Sequence, residues 1–97
     1  MALTPEGRVK QRVSRLLKEV KALYYFMPVQ GGYGGSTLDY LGCHRGRFFG
    51  IETKAPGKIP TTRQSVIMAS IRGAGGKVFV IDSDDLSELE EWLKEES

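Results

Sequence analysis

The sequence predicts an α/β fold, a mixed sheet flanked by helices, and three observations carry that prediction. An N-terminal segment repeats apolar residues at helical spacing, two strand-like segments flank a two-residue turn, and a capped helix leads into a β-branched run. The element order is α-β-β-β-α-β-α. The helix between the third and fourth strands acts as a crossover, which favours parallel pairing of the strands it joins. At 97 residues, the chain from 1 to 97 is expected to form one domain with a real core, too short for two.

Thr4-Pro5 opens the first helix, with Thr as N-cap and Pro at the first helical position. Val9, Val13, Leu16, Leu17 and Val20 form the apolar stripe, and the helix is expected to run from Pro5 to about Leu23. Arg8, Lys10, Arg12, Arg15, Lys18 and Lys21 fall mostly outside that stripe, as in a helix lying on a sheet. Glu6 is the exception, because at about 100° per residue it projects within the apolar arc near Val13 and Leu17. Two readings of Glu6 stand: a partner for the helix dipole and first-turn amides, or a carboxylate aimed at a site on the sheet.

Tyr24 to Val29 reads as the first strand, with Pro28 placing it at an edge or an end. Gly31-Gly32-Tyr33-Gly34-Gly35 lacks the Gly-Lys-Ser/Thr ending of a P-loop and the dinucleotide fingerprint, which leaves a loop near the site or a plain connector. Residues 37–44 and 47–54 are the next two strands, joined at Arg45-Gly46. Residues 55–60 form a loop, Thr61 or Thr62 caps a second helix through about Ala74, and Gly75-Gly76 ends it. Lys77 to Ile81 is the fourth strand. Ser83 or Asp84 is expected to start a last helix that packs Trp92 onto the sheet. Cys43 reads as a small core residue and His44 as an exposed residue beside the turn.

The net charge of +2 conceals a division along the chain. Residues 1–63 carry 11 Lys/Arg against 4 Asp/Glu, whereas residues 64–97 carry 3 against 8. Basic charge in the first part suits a polyanion, nucleic acid being the commonest, although a solvated helix face has the same composition. A single cysteine and a single histidine exclude an internal disulfide and a conventional structural zinc site, and a reducing compartment suits them. No apolar run approaches the roughly 20 residues of a membrane span. The expectation is therefore a soluble protein with no membrane association.

The chemistry concentrates in Asp39 and Glu52-Thr53-Lys54. A two-residue turn at Arg45-Gly46 sets Asp39 opposite Glu52, with Cβ atoms roughly 4.5–5.5 Å apart, and Lys54 shares that face. A three-residue turn would instead leave the acids as solvent-facing strand residues in another register. Like charges across a sheet need a cation, a retained proton or solvent. A hard cation with oxygen ligands meets that need, since magnesium takes one or two carboxylates and keeps several waters. Lys54 then stands where it can polarise water or stabilise charge on a phosphate.

With Glu6, Asp39, Glu52-Thr53-Lys54 and Gln64 in this order on these elements, the chain resembles the PD-(D/E)XK nuclease superfamily. Within it, the chain is most similar to stand-alone VRR-NUC (virus-type replication-repair nuclease) domains of phage and bacterial type, from about Glu6 to Ile81. The stretches around Gly35-Ser36-Thr37-Leu38-Asp39, Ile51 to Pro56 and Thr62-Arg63-Gln64 carry most of the likeness. The chain departs from the family in having Leu38 where Pro usually precedes the Asp.

The resemblance implies a restriction-endonuclease-like core and a Mg2+- or Mn2+-dependent endonuclease. On that basis Asp39, Glu52 and the backbone carbonyl of Thr53 hold metal, and Lys54 is the catalytic lysine. Glu6 helps to hold metal or its water, and Gln64 orients water or substrate. Arg8, Arg12, Arg15, Lys58 and Arg63 are the candidate DNA contacts. The resemblance further implies a homodimer acting on branched DNA such as four-way junctions, in the cytoplasm of a bacterial or phage-infected host cell. Tyr33 and Phe48 are candidate interface aromatics, with Phe48 equally readable as core. Two other readings remain: a non-catalytic DNA-binding module on a nuclease-like scaffold, and a small restriction-type endonuclease acting on duplex DNA.

Overall fold

The computed structural model describes residues 4–27 and 37–95. The elements are α1 (Pro5–Glu19), β1 (Leu23–Phe26), β2 (Tyr40–His44), β3 (Arg47–Thr53), α2 (Thr62–Gly73), β4 (Lys77–Ile81) and α3 (Ser87–Lys94). The four strands form one sheet in the order β1-β2-β3-β4. β1 with β2 and β2 with β3 are antiparallel, while β3 and β4, joined through α2, are parallel. The mixed sheet with helices on both faces is the α/β arrangement expected from the sequence. Pro28, Val29, Ser36 and the glycine cluster with Tyr33 lie outside the described residues.

Alternation along the strands builds two cores. Tyr40, Phe49, Ile51, Phe79 and Ile81 face α1 and α3, where they meet Val9, Val13, Leu16, Leu17, Leu89 and Leu93. On the opposite face, Leu38 and Val78 pack against Met68, flanked by Ile67 and Ile71 of α2. Leu38, fully buried, anchors the approach to Asp39 by side-chain packing at the position where a proline would set backbone shape.

The β2–β3 hairpin has the two-residue turn the sequence called for. Arg45 and Gly46 both take positive φ, 54° and 80°, the backbone hand that matches strand twist in a tight hairpin. Pairing runs from His44↔Arg47 to Tyr40↔Ile51, and just beyond the last pair Asp39 and Glu52 are joined by Asp39 N–H donating to Glu52 Oε1 (3.2 Å). Gly42 lies at the centre of β2. A Cβ there would stand 2.3 Å from the Leu23 backbone oxygen and 2.5 Å from Phe49 Cζ. Neither neighbour yields easily, so Gly42→Ala is expected to cost about 1–3 kcal/mol, measured as a lower urea midpoint at unchanged slope.

β1 begins one residue before its expected start and ends at Phe26, β3 ends one residue short at Thr53, and three larger differences in boundary have a visible cause. α1 stops at Glu19 because Lys21 adopts a left-handed φ of 60°, with Ala22 N–H donating to Leu17 O (3.0 Å) and Lys21 N–H to Lys18 O (3.1 Å). That is a Schellman closure with lysine in the position where glycine is usual. β2 starts at Tyr40 and not at Thr37, because Leu38 turns into the small core and Asp39 uses its side chain toward β3. α3 starts at Ser87, because Ser83 Oγ accepts from Asp85 N–H (3.2 Å) and Asp85 Oδ1 accepts from Ser87 N–H (3.0 Å). Those residues make local turns where a helix cap was expected.

Candidate active site at the end of the β2–β3 pair

Both helical layers reach one end of the sheet, α1 from one face and the start of α2 from the other. Glu52 is 3% exposed, and both of its oxygens are engaged. Oε1 accepts from Asp39 N–H (3.2 Å) and Oε2 from Gln64 Nε2 (2.7 Å), with Lys54 Nζ 3.5 Å from Oε2. Asp39 Oδ2 accepts from both Thr53 N–H (2.9 Å) and Thr53 Oγ1–H (2.5 Å). Thus Asp39, Glu52, Thr53, Lys54 and Gln64, singled out in the sequence, converge in space.

Thr53 is turned toward the acids by strand geometry. Lys54 N–H bonds Ile81 O of β4 (2.9 Å), and adjacent residues of a strand present their backbone groups to opposite edges. The N–H and C=O of Thr53 therefore face Asp39. Gln64 is fixed from two directions, since Thr61 and Gln64 form a full capping box. Gln64 Oε1 accepts from Thr61 N–H (2.9 Å), and Thr61 Oγ1 accepts from Gln64 N–H (3.1 Å). The cap locks the amide so that its NH2 points at Glu52, and a local helix signal thereby serves the site.

Electrostatics at the pair match the like-charge problem. Burial, and next the charge of Asp39, push the Glu52 carboxyl above the usual carboxylate range, against Lys54 and the Asp39 amide, which favour its anion. Lys10 is the residue the sequence missed. Its position outside the apolar stripe predicts a solvated side chain, yet it pairs with Glu6 and stands 3.7 Å from Asp39 Oδ2. Burial acts to lower its pKa, but the Glu6 hydrogen bond and the charges of Asp39, Glu6 and Glu52 outweigh it and leave the ammonium more basic than usual. An i, i+4 spacing from Glu6 was the available signal. Tyr40 sets the geometry, because its buried hydroxyl donates to Lys10 O (2.9 Å) and pairs with Ser14 Oγ (2.6 Å), tying α1 to the residue next to Asp39. Glu6 itself reaches the acids through Lys10.

The proposed DNA contacts are more dispersed. Arg8 is exposed beside Thr4, Pro5 and Pro56, and Lys58 is exposed on the turn closed by Lys58 N–H to Ala55 O (3.0 Å). Arg63 is exposed in the first turn of α2. Arg12 pairs with Asp84 (3.1 Å), and Arg15 lines a shallow depression with Glu19 and Glu90. His44 lies at the turn end of β2, five residues from Asp39 and so about 16 Å along the strand. Its pKa is lowered by partial burial and then by Arg45, and its backbone-directed bond is to Leu93.

Among the described residues, no three His, Cys, Asp or Glu side chains cluster as a metal site. The donors that converge are two carboxylates and the Thr53 carbonyl, an all-oxygen set. A hard divalent cation that keeps several waters fits it.

No family model matches the chain, and no curated protein matches it. Among solved structures, one described as a VRR_NUC domain superposes with a TM-score of 0.72 at 23% identity, over 97% of this chain and 99% of that one. At that identity the likeness establishes the fold: this chain has the α/β architecture of a VRR_NUC domain. No helix among the described residues is long and apolar enough to cross a membrane.

Proposed function

We propose that the chain is a divalent-metal-dependent DNA endonuclease that hydrolyses phosphodiester bonds, with branched DNA such as a four-way junction as its preferred substrate. One observation carries the reading: Asp39 and Glu52 meet at one strand end with Lys54 and Gln64 bonded to the same carboxylate. The nuclease-like fold supports it. A bound Mg2+ or Mn2+ supplies Lewis-acid polarisation of a phosphoryl oxygen and a water acidified toward neutrality.

Asp39, Glu52 and the Thr53 carbonyl would hold that ion. Thr53 fixes Asp39 through two hydrogen bonds, and Gln64 fixes Glu52, so the two carboxylates are positioned before substrate arrives. Lys54 places a positive charge beside Glu52, where it orients the attacking water and stabilises charge on the attacked phosphate. Arg8 on α1, Lys58 on the loop that follows Lys54 and Arg63 at the start of α2 are exposed and would bind the phosphate backbone. Arg12 and Arg15 would join them by exchanging carboxylate neighbours for phosphates. Two equivalent cuts across a junction suit a homodimer, the commonest closed assembly. Phe48, 44% exposed, has the accessibility an interface residue needs.

Labelled four-way, flap, splayed and linear DNAs incubated with Mg2+, Mn2+ or a chelator test the reading. The expected result is metal-dependent nicking, strongest on the four-way junction and absent with chelator. Binding without nicking in either metal would favour the non-catalytic module. Sequence-specific cutting of linear duplex would favour the restriction-type enzyme.

A further inference from the structure

The unexpected partner at the acid pair is Lys10. Two lysines divide the compensation: Lys54 stands by Glu52 and Lys10 by Asp39, at 3.5 and 3.7 Å. Lys10 does not swing freely on the surface. Its side chain is 25% exposed, Glu6 binds the ammonium, and Tyr40 bonds its backbone carbonyl. The site therefore holds a cation of its own on the Asp39 side.

We propose that the Lys10 ammonium is the resident counter-ion of this site and that a divalent metal binds there only by displacing it from Asp39. The proposal rests on the nuclease reading and adds to it a positioning residue. Lys10 touches no reacting atom. It stabilises the metal-free arrangement by relieving the repulsion between Asp39 and Glu52, and it occupies Glu6. A divalent ion brings more charge to the same carboxylates, so both cations near Asp39 oppose one another. Lys10 thus makes the site tolerable when empty at a cost in metal affinity.

The test titrates Mn2+ alone, without DNA, into the 97-residue chain and follows it by calorimetry and by thermal unfolding. Lys10→Met is expected to bind Mn2+ about five-fold tighter or more, the ratio set by a unit charge at ~4 Å even in water. Its metal-free melting temperature should fall, and its rise on adding Mn2+ should exceed that of wild type. Lys10→Arg, which keeps the charge, should stay within about two-fold of wild-type affinity. If Lys10→Met does not fold, Lys10→Gln carries the same expectation. Equal or weaker Mn2+ binding by the folded neutral variant overturns the counter-ion role. Asp39→Ala separates the two claims. Loss of Mn2+ binding in Asp39→Ala with no change in Lys10→Met removes only the counter-ion role. A wild type that binds no Mn2+, or an Asp39→Ala that binds it as wild type does, removes the metal-site reading as well.

Discussion

Lys54→Met is expected to lower DNA cleavage by about 10²–10³-fold, the range for removing one group that stabilises transition-state charge, and Asp39→Asn by at least as much. These substitutions hold shape while changing charge. Lys54 is mostly buried beside Glu52, and methionine fills nearly the same volume without the ammonium. Asp39→Asn keeps an oxygen able to accept from Thr53 N–H and Oγ1–H, so the strand end keeps its bonds while a ligand charge is lost. Circular dichroism should therefore stay close to wild type for both, with the urea midpoint little changed in Asp39→Asn and lowered in metal-free Lys54→Met, which leaves the buried Glu52 carboxylate without its neighbouring cation. Cutting at the wild-type rate by either variant would reject these roles, and loss of cutting together with loss of fold would make the effect structural.

The hairpin was legible because its determinants are local. Gly46 marks a short turn between two strand-like segments, Arg45 takes positive φ beside it, and the two-residue turn length fixes the register of the hairpin. The parallel pairing of β3 and β4 follows from a helix-length connection, a constraint of chain geometry that any sequence of that pattern would meet. The start of α2 was legible to within one residue, Thr61 or Thr62, and the reciprocal bonds between Thr61 and Gln64 place the cap at Thr61.

Features set by competing local bonds were not legible. Nothing in Val20-Lys21-Ala22 announces a helix end, because lysine disfavours the left-handed conformation it adopts there; packing of Ala22 and Tyr24 against the core imposes it. Ser83 and Asp85 are good caps by type, and they spend their oxygens on turns one step early. Lys10 shows the same limit at the site. A helical wheel gives the direction of a Cβ, whereas a lysine stem spans far enough to bring its charge back to the sheet edge. Only the tertiary placement of α1 by Tyr40 decides that Asp39 is within reach.

Phe49→Ala is expected to cost about 3–5 kcal/mol, the largest stability loss of any single substitution considered for this chain. Phe49 is fully buried in the main core and packs edge-on to Trp92, with centroids 5.8 Å apart. Two features prevent collapse around the lost ring. Its cross-strand partner is Gly42, which has no side chain to move into the space. Trp92 is held in place by Arg47, whose guanidinium lies 4.2 Å from the indole centroid and donates to Trp92 O (2.8 Å). The cavity therefore stays open, and the loss takes up much of the 5–15 kcal/mol typical of small domains. At about 4–8 °C per kcal/mol for a domain of this size, the melting temperature should fall by at least roughly 12 °C. Adding Gly42→Ala to Phe49→Ala should cost less than the two single losses together, because the ring that opposes the new methyl is gone while the Leu23 oxygen remains. A loss below about 1 kcal/mol for Phe49→Ala alone would show that the ring does not hold β3 to the helical layer, and strict additivity of the double variant would show that the ring is not what opposes a side chain at Gly42.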